Sequence, residues 1–253
     1  MTTFANRTQT APKPGRSLIT KLNMGTGLVV GIVSAEVMYW LSKSWFDINE
    51  AVEINKILTL SMFAWCIGFL VGIGAFIGPF RWLIGKDLTA EEHLYMAGDG
   101  QGISRYFKYC TDHKVVGIQY LVGVMTMLGV GGAMAMMIRT NLIQPGSRLV
   151  TPEIYNSLVG LHGITMIIAL IVVSTGPFGN FILPIMIGAR DMAFPRLNAL
   201  SWWLLFTAII TLCSAWFFGG IPTGWTAYAP LSVQAGPGMN AFIVAIIIFA
   251  ISS

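Results

Sequence analysis

Apolar residues form six long runs along this chain, separated by shorter polar stretches. The runs cover about residues 27–46, 57–84, 115–138, 155–187, 199–218 and 239–253. A helix needs roughly 20 residues to cross a hydrocarbon core about 30 Å thick, so the first five runs predict transmembrane helices. The sixth run has 15 residues, which make about 22 Å of helix. We expect it to begin a span that continues beyond this sequence.

The polar stretches predict how the chain is divided. Residues 1–22 are basic and contain no apolar core, which predicts a solvated cytoplasmic tail and not a cleaved signal peptide. Residues 23–89 hold the first two runs, 90–114 form a charged, amphipathic linker, and 115–253 hold the remaining runs. The fourth run contains glycine and proline, which predicts a tilted or kinked helix.

The composition indicates an all-α polytopic membrane protein, a transmembrane helix bundle. Charged residues make up 10% of the chain and apolar residues 55%, and the mean hydropathy is +0.71; soluble domains carry about 25% charged residues. The net charge of +4 comes from lysines and arginines in the loops. Such residues orient the spans in the membrane, so the charge does not indicate a nucleic-acid partner. Eleven of these lysines and arginines lie on the same side of the membrane as the N-terminus, and four lie on the other side. This asymmetry predicts a cytoplasmic N-terminus.

His162 is the only histidine within an apolar run, near the outer end of the fourth one. Its imidazole either binds a haem iron axially or hydrogen-bonds a neighbouring helix, and position alone does not separate the two. Met166 lies one turn later on the same helix face, where it packs on a macrocycle or fills the core. Arg139 ends the third run at a depth similar to that of His162. It is either an interfacial arginine or a donor to a cofactor oxygen.

A second group of polar residues, Asp191, Asn180 and Asn198, lies toward the cytoplasmic face. One hypothesis is proton uptake, in which Asp191 gathers protons and the asparagine amides order a file of water. Asn180 is about 16 Å from Asp191 if the segment between them is helical. The alternative is a loop aspartate paired with Arg190 or Arg196, with asparagines that hydrogen-bond between helices.

Glu36 interrupts the first run with a carboxyl group at membrane depth. Such a group is costly in hydrocarbon, so it is a functional candidate. We interpret Glu36 as paired or as facing a partner subunit, and not as catalytic.

Several stretches, read together, resemble subunit 1 of the haem–copper oxygen reductases, cytochrome c oxidase in particular. They occur in the family's order and spacing over about residues 111–253. The stretches are TDHKVVGIQYL (111–121), AMMIRTNLIQPG (135–146), EIYNSLVGLHGITM (153–166), FGNFILPIMIGARDMAFPRLNALSWW (178–203) and GWTAYAPLS (224–232). The resemblance implies that 115–253 are the N-terminal part of the subunit 1 core. It leaves 23–89 as a two-helix N-terminal extension that docks another subunit.

The resemblance implies a role for each matched residue near the outer face. His162 resembles the axial ligand of a low-spin haem, which is haem a in cytochrome c oxidases. Arg139 resembles the arginine that bonds a ring substituent of that haem, and Met166 lies beside the ligand. Trp225 and Tyr228 match the aromatic pair of the GWTxYxPL loop next to the haem.

On the cytoplasmic side, Asp191 resembles the entrance of the D proton pathway, and Asn198 and Asn180 resemble its water-ordering asparagines. The family also implies a high-spin haem and copper B, whose ligands lie outside this segment. The implied activity is proton-pumping reduction of oxygen to water. The implied partners are the rest of subunit 1, subunits 2 and 3, cytochrome c as electron donor and a respiratory supercomplex, in the lipid bilayer of a bacterial inner membrane.

Three other functions stay open. A quinol-oxidising haem–copper oxidase is the nearest, because the copper domain that distinguishes the two donors lies on another chain. A secondary transporter predicts an inverted repeat, and residues 27–84 and 115–218 show none. If the chain is a structural subunit without haem, replacing His162 should leave the visible spectrum unchanged.

Overall fold

The computed structural model describes residues 17–48, 50–143, 145–146 and 149–253, so most of the predicted tail lies outside it. These described residues form helices, turns and loops, with no β-strand among them. A π-helical segment, Ser174–Ile182, follows α6, and 3-10 turns lie at Leu18–Lys21, Gly102–Phe107 and Ala215–Phe218. The α-helices are α1 (Met24–Ser42), α2 (Ala51–Ile73), α3 (Ile77–Leu83), α4 (Ala90–Met96), α5 (His113–Asn141), α6 (Pro152–Val173), α7 (Leu183–Met186), α8 (Pro195–Ser214), α9 (Leu231–Gln234) and α10 (Gly238–Ser252).

Five of the described helical stretches are long and apolar enough to cross a membrane, which confirms the prediction from the first five runs. They are Met24–Ser42, Val52–Ile73, His113–Asn141, Pro152–Met186 and Pro195–Phe218. The sixth run forms the shorter apolar helix α10.

The second run departs from the single helix predicted over 57–84. Gly74 has a left-handed φ of +91° and ends α2, so α3 is a separate short helix. Glycine adopts this conformation at no steric cost because it has no Cβ atom.

Small residues bring α1 and α2 into close contact. A Cβ atom on Gly68 would lie 2.3 Å from the Ser34 Oγ, and one on Gly72 would lie 2.7 Å from the Thr26 carbonyl oxygen. The Thr26 hydroxyl also donates a hydrogen bond of 2.9 Å to the Gly72 carbonyl. In lipid, where the solvent is as apolar as the side chains, such close packing and hydrogen bonding hold helices together. Helices α1 and α2 therefore form a tight hairpin.

Aromatic rings join this hairpin to the rest of the bundle. Phe69 of α2 is fully buried, and its ring centroid lies 5.8 Å from that of Trp203 and 5.5 Å from that of Phe206 on α8. Helix α8 packs in turn on α10 and α5, and α5 packs on α6. Buried aromatic pairs contribute strongly to packing energy. Helix α2 therefore lies between α1 and the bundle.

The fourth run, predicted to be tilted or kinked, contains a π-helical segment that includes Pro177. Proline lacks the N–H group that an α-helical turn requires, and a π segment accommodates this defect locally. Gly176 in this segment lies against Tyr120 of α5, where a Cβ atom would be 2.6 Å from the tyrosine ring. The close approach sets Asn180, one turn later, against the N-terminal end of α5.

A buried carboxylate anchors the linker between the hairpin and α5. Glu92 of α4 is 1% exposed, pairs with Arg81 of α3, and accepts hydrogen bonds from the Ser17 hydroxyl and from the Thr89 amide. Burial raises the pKa of this carboxyl, but the hydrogen bonds and the Arg81 charge outweigh burial, so the net pKa is lower than usual. The ionised carboxylate therefore ties three separate segments together.

Candidate functional site

His162 is oriented by the backbone of the neighbouring helix. It lies on α6, half-buried, and its Nδ1 is 2.9 Å from the carbonyl oxygen of Gly131 on α5. Because a carbonyl only accepts, Nδ1 must carry the proton and donate it, which leaves Nε2 as the free lone pair. A histidine that binds a metal is held in the same way, by a hydrogen bond from its other ring nitrogen. Of the two alternatives from the sequence, the hydrogen bond to a neighbouring helix is present, and axial binding of a haem iron stays a prediction.

Gly131 also lets α5 and α6 approach closely. A Cβ atom there would lie 2.6 Å from the Met166 Sδ and 3.6 Å from the Thr165 Cγ2. Met166 thus packs, partly buried, against α5 one turn below His162. Its predicted contact with a macrocycle stays a prediction.

The loop before α9 places Trp225 against Gly163, the residue after His162. A Cβ atom on Gly163 would lie 3.1 Å from the Trp225 Cβ, so this tryptophan packs on α6 one residue after the histidine. Its side chain is 49% exposed. Gly224 and Ala227 have left-handed φ angles of 71° and 53°, which turn the loop sharply around Trp225. Tyr228 is 77% exposed, and its hydroxyl makes no hydrogen bond within the described residues.

Arg139 lies farther toward the end of α5 than the sequence suggested. Gly131 marks the level of His162, and Arg139 is eight residues beyond it, about 12 Å along the helix. The two backbones are therefore not at equal depth, which corrects the expectation. The exposed side chain of Arg139 would have to extend back along α5 to reach a group bound at His162.

Asp191 opens onto a cleft at the other end of the fourth span. The cleft has a volume of about 380 Å³ and is also lined by His93, Thr111 and Arg196. Asp191 is partly buried, and its Oδ1 accepts a hydrogen bond of 2.7 Å from the Met192 amide.

The alternative role for Asp191, pairing with an arginine, is not seen in this structure. Within the described ranges the two ion pairs join Lys56 to Glu53 and Arg81 to Glu92, and neither contains Asp191.

The two asparagines each bury a polar atom without a protein partner. Asn180 is 6% exposed, and its Nδ2 donates to the Gly176 carbonyl at 2.8 Å, while its Oδ1 has no hydrogen-bond partner among the described residues. The Nδ2 of Asn198 is likewise buried and unpartnered within that part of the chain. Buried amide groups without protein partners are the usual sites for ordered water. Neither of these two atoms bonds to a neighbouring helix among the described residues, and the water-ordering role stays a prediction.

The structure adds three polar residues that sequence reasoning missed. His113 begins α5, is 3% exposed, and its Nδ1 lies 2.8 Å from the Asn180 carbonyl oxygen. About two turns farther along α5, the Tyr120 hydroxyl is hydrogen-bonded to the Ser201 Oγ. Ser201 lies three residues after Asn198 on α8, so their shared helix face was a signal in the sequence. The partners of His113 and Tyr120 are more than 60 residues away along the chain, and no local pattern indicates them.

The chain is similar to known oxidase subunits over its second half. A family model described as "Cytochrome C and Quinol oxidase polypeptide I" matches residues 115–253. "Cytochrome c oxidase subunit 1" of Synechocystis sp. is 44% identical over 149 residues, which cover 58% of this chain and 27% of the relative. The protein of the same name from Thermostichus vulcanus is 46% identical over 150 residues, with the same coverage of both chains.

The chain is also similar to a relative whose name gives quinol as the electron donor. "Probable quinol oxidase subunit 1" of Staphylococcus epidermidis is 39% identical over 145 residues, which cover 56% of this chain and 22% of the relative. The chain thus spans about a quarter of the length of these curated relatives, at 22 to 27%. Because the family model covers more than half of this chain, the chain belongs to the family of cytochrome c and quinol oxidase polypeptide I.

Proposed function

We propose that this chain forms part of the catalytic subunit of a proton-pumping terminal oxidase, which reduces oxygen to water with electrons from cytochrome c. The observation that carries this proposal is the hydrogen bond between His162 and Gly131, which leaves the histidine Nε2 free for a metal. The activity would belong to the complete subunit 1 together with subunits 2 and 3, in a bacterial inner membrane with the N-terminus in the cytoplasm. Association with a respiratory supercomplex is part of the same proposal.

The residues around His162 fit a low-spin haem, with haem a as the proposed type. His162 would hold the iron through Nε2, and Gly131 would fix the ring in place. Trp225 lies beside the histidine and would shield one side of the site, while Arg139 and Tyr228 would act from its rim. When bound, a haem of this kind accepts and donates single electrons. The high-spin haem and copper B of the family would be held by residues outside this segment.

On the cytoplasmic side, the polar residues support a route for protons. Asp191, at its open cleft, would take up a proton from the cytoplasm. Asn198 and Asn180 would hold water through their unpartnered amide atoms. The hydrogen-bonded pair of Tyr120 and Ser201 continues this polar file one helical turn deeper. Such a chain of hydrogen-bonding groups moves protons without a permanent charge in the hydrocarbon.

A quinol is the second candidate electron donor. It is favoured by the 39% identity to the relative named as a probable quinol oxidase. The two donors separate in one assay on the purified complex, which compares the turnover supported by reduced cytochrome c with that supported by a quinol. Turnover with quinol only would replace the first proposal by the second.

The test of the haem proposal is the reduced-minus-oxidised spectrum of the complete oxidase carrying His162→Ala. We expect the low-spin haem band to disappear. Asn156→Ala, an exposed position on the same helix, is the matched control and should keep the band. An unchanged spectrum in the His162→Ala particle would show that the histidine is only a helix–helix contact, as expected for a transporter or a structural subunit.

A further inference from the structure

One face of α1 is apolar, exposed and interrupted by a single acid. Its exposed residues recur three and four positions apart, so they lie on one side of the helix. The apolar members are 53 to 63% exposed. This outer face consists of Val29, Ile32, Val33, Glu36, Val37 and Trp40.

The opposite face of α1 is covered by α2. Gly27 and Gly31 of α1 lie against the rings of Phe69 and Trp65, at about 3 Å from a Cβ built on either glycine. Helix α2 then packs on α8 and α10. The bundle formed by 115–253 therefore lies behind α2 and does not cover the outer face of α1.

Glu36 lies well inside the membrane on this outer face. It is 12 residues after Met24 and six before Ser42, or about 18 Å and 9 Å from the two ends of α1. Its side chain is exposed, and it has no ion pair or hydrogen bond with the residues that the structure describes. A charged side chain at such a depth costs about 2.5–3.5 kcal/mol against lipid, so these groups normally face a protein partner.

The charge decides what kind of partner fits. A second copy of the same face would bring two Glu36 carboxylates together, which repel each other in a medium of low dielectric constant. A basic side chain on a facing helix would neutralise the carboxylate instead. We propose that the outer face of α1 is the docking surface for a transmembrane helix of another subunit, which carries a lysine or arginine at the depth of Glu36. This inference does not depend on the haem assignment.

The test uses the assembled oxidase in native nanodiscs, with Val33 replaced by the photo-crosslinking residue p-benzoylphenylalanine. Mass spectrometry of the crosslinked product should identify one helix of another chain, with a lysine or arginine within the membrane. Crosslinks to lipid, to a second copy of this chain, to its own core or to a helix without a basic residue would overturn the proposal. This readout does not require a substitution at Glu36.

The charge is tested by adding Glu36→Gln to the same particle, with Asp99→Asn, the same loss of charge at an exposed aspartate of the linker, as the matched control. We expect the crosslink yield to fall roughly tenfold with Glu36→Gln and to stay unchanged with Asp99→Asn. Haem content per particle checks that each variant is assembled. Exchange of the two charges, with Glu36→Lys here and the basic residue of the partner changed to glutamate, should restore the yield. Equal yields for Glu36→Gln and the control would contradict the ion pair.

Discussion

The Nδ1 atom of His162 lies 2.9 Å from the carbonyl oxygen of Gly131, and this hydrogen bond joins two helices through residues 31 positions apart. It sets the tautomer of the imidazole, because the carbonyl can only accept. It also depends on glycine, because a Cβ atom at position 131 would collide with Met166. The orientation of the candidate iron ligand is therefore decided by the packing of α5 on α6.

We expect Gly131→Ala to disturb the candidate haem site. The new Cβ atom would lie 2.6 Å from the Met166 Sδ, so the Met166 side chain must move, and it packs one turn from His162. Overpacking of this kind typically costs about 1–3 kcal/mol. The haem-to-protein ratio and the position of the low-spin band in the complete oxidase measure the effect. Gly132→Ala is the control, because nothing described lies within 4 Å of its Cβ position; equal spectra for both variants would contradict the prediction.

Replacing Asp191 with asparagine should slow oxygen reduction and proton uptake together. The amide cannot take up and release protons, and groups that transfer protons contribute on the order of 100-fold to rates. Oxygen consumption and pH change in reconstituted vesicles measure the two effects. Asp99→Asn, at an exposed aspartate of the linker, should leave both rates unchanged. Wild-type turnover and pumping in the Asp191→Asn vesicles would exclude this aspartate from the route.

The stability supplied by Glu92 should depend on pH. Its pKa is lowered in the folded chain, so its contribution is present above the ordinary pKa of the carboxyl and is lost as the pH falls through the lowered value. At neutral pH, Glu92→Gln should decrease the free energy of unfolding by about 1–3 kcal/mol, because it leaves Arg81 without its partner. The difference from wild type should shrink in acid.

Unfolding in mixed micelles across a pH series measures this effect. The control is Glu53→Gln, which breaks an exposed pair with Lys56 and should cost less than about 0.5 kcal/mol. A loss of stability in Glu92→Gln that stays constant from neutral to acid pH would show that shape, and not charge, matters at this position.

Substitution of Gly72 with alanine should loosen the hairpin of α1 and α2. Its Cβ atom would lie 2.7 Å from the Thr26 carbonyl oxygen and 2.8 Å from the Gly27 Cα, and backbone atoms of a helix cannot move aside individually. We expect a loss of about 1–3 kcal/mol in the free energy of unfolding. Gly129→Ala, with open space around its Cβ position in the described structure, is the control. Greater stability of the Gly72→Ala chain would mean that the two helices pack less tightly than the structure shows.

Cys110 should react slowly with maleimides. It is 2% exposed, and burial raises the pKa of its thiol from 9.0 to about 11. The thiolate is the reactive form, so this pKa alone makes alkylation at neutral pH about 100-fold slower. The comparison is a Ser104→Cys variant, which places a thiol at an exposed position of the same linker. Equal labelling rates at the two positions, followed by mass, would show that the linker opens readily.

The sequence by itself determined the number of long spans, the all-helical class and the position of His162 within the fourth run. These follow from local properties, because run length and hydropathy decide whether a segment can cross a membrane. The motifs over 111–253 also pointed to the family that the comparisons confirm. The end of α2 was not predicted, because a glycine within an apolar run does not reveal whether its φ will be positive, as it is at Gly74.

Only the tertiary structure decided which groups meet. The partner of His162 on α5, the contact of His113 with Asn180, and the pair of Tyr120 with Ser201 join residues 31 to 81 positions apart. A hydrogen bond depends on the relative rotation and depth of two helices, and these result from packing over the whole interface. For the same reason the depth of Arg139 was misjudged, since helix tilt and register are not encoded in the length of a run.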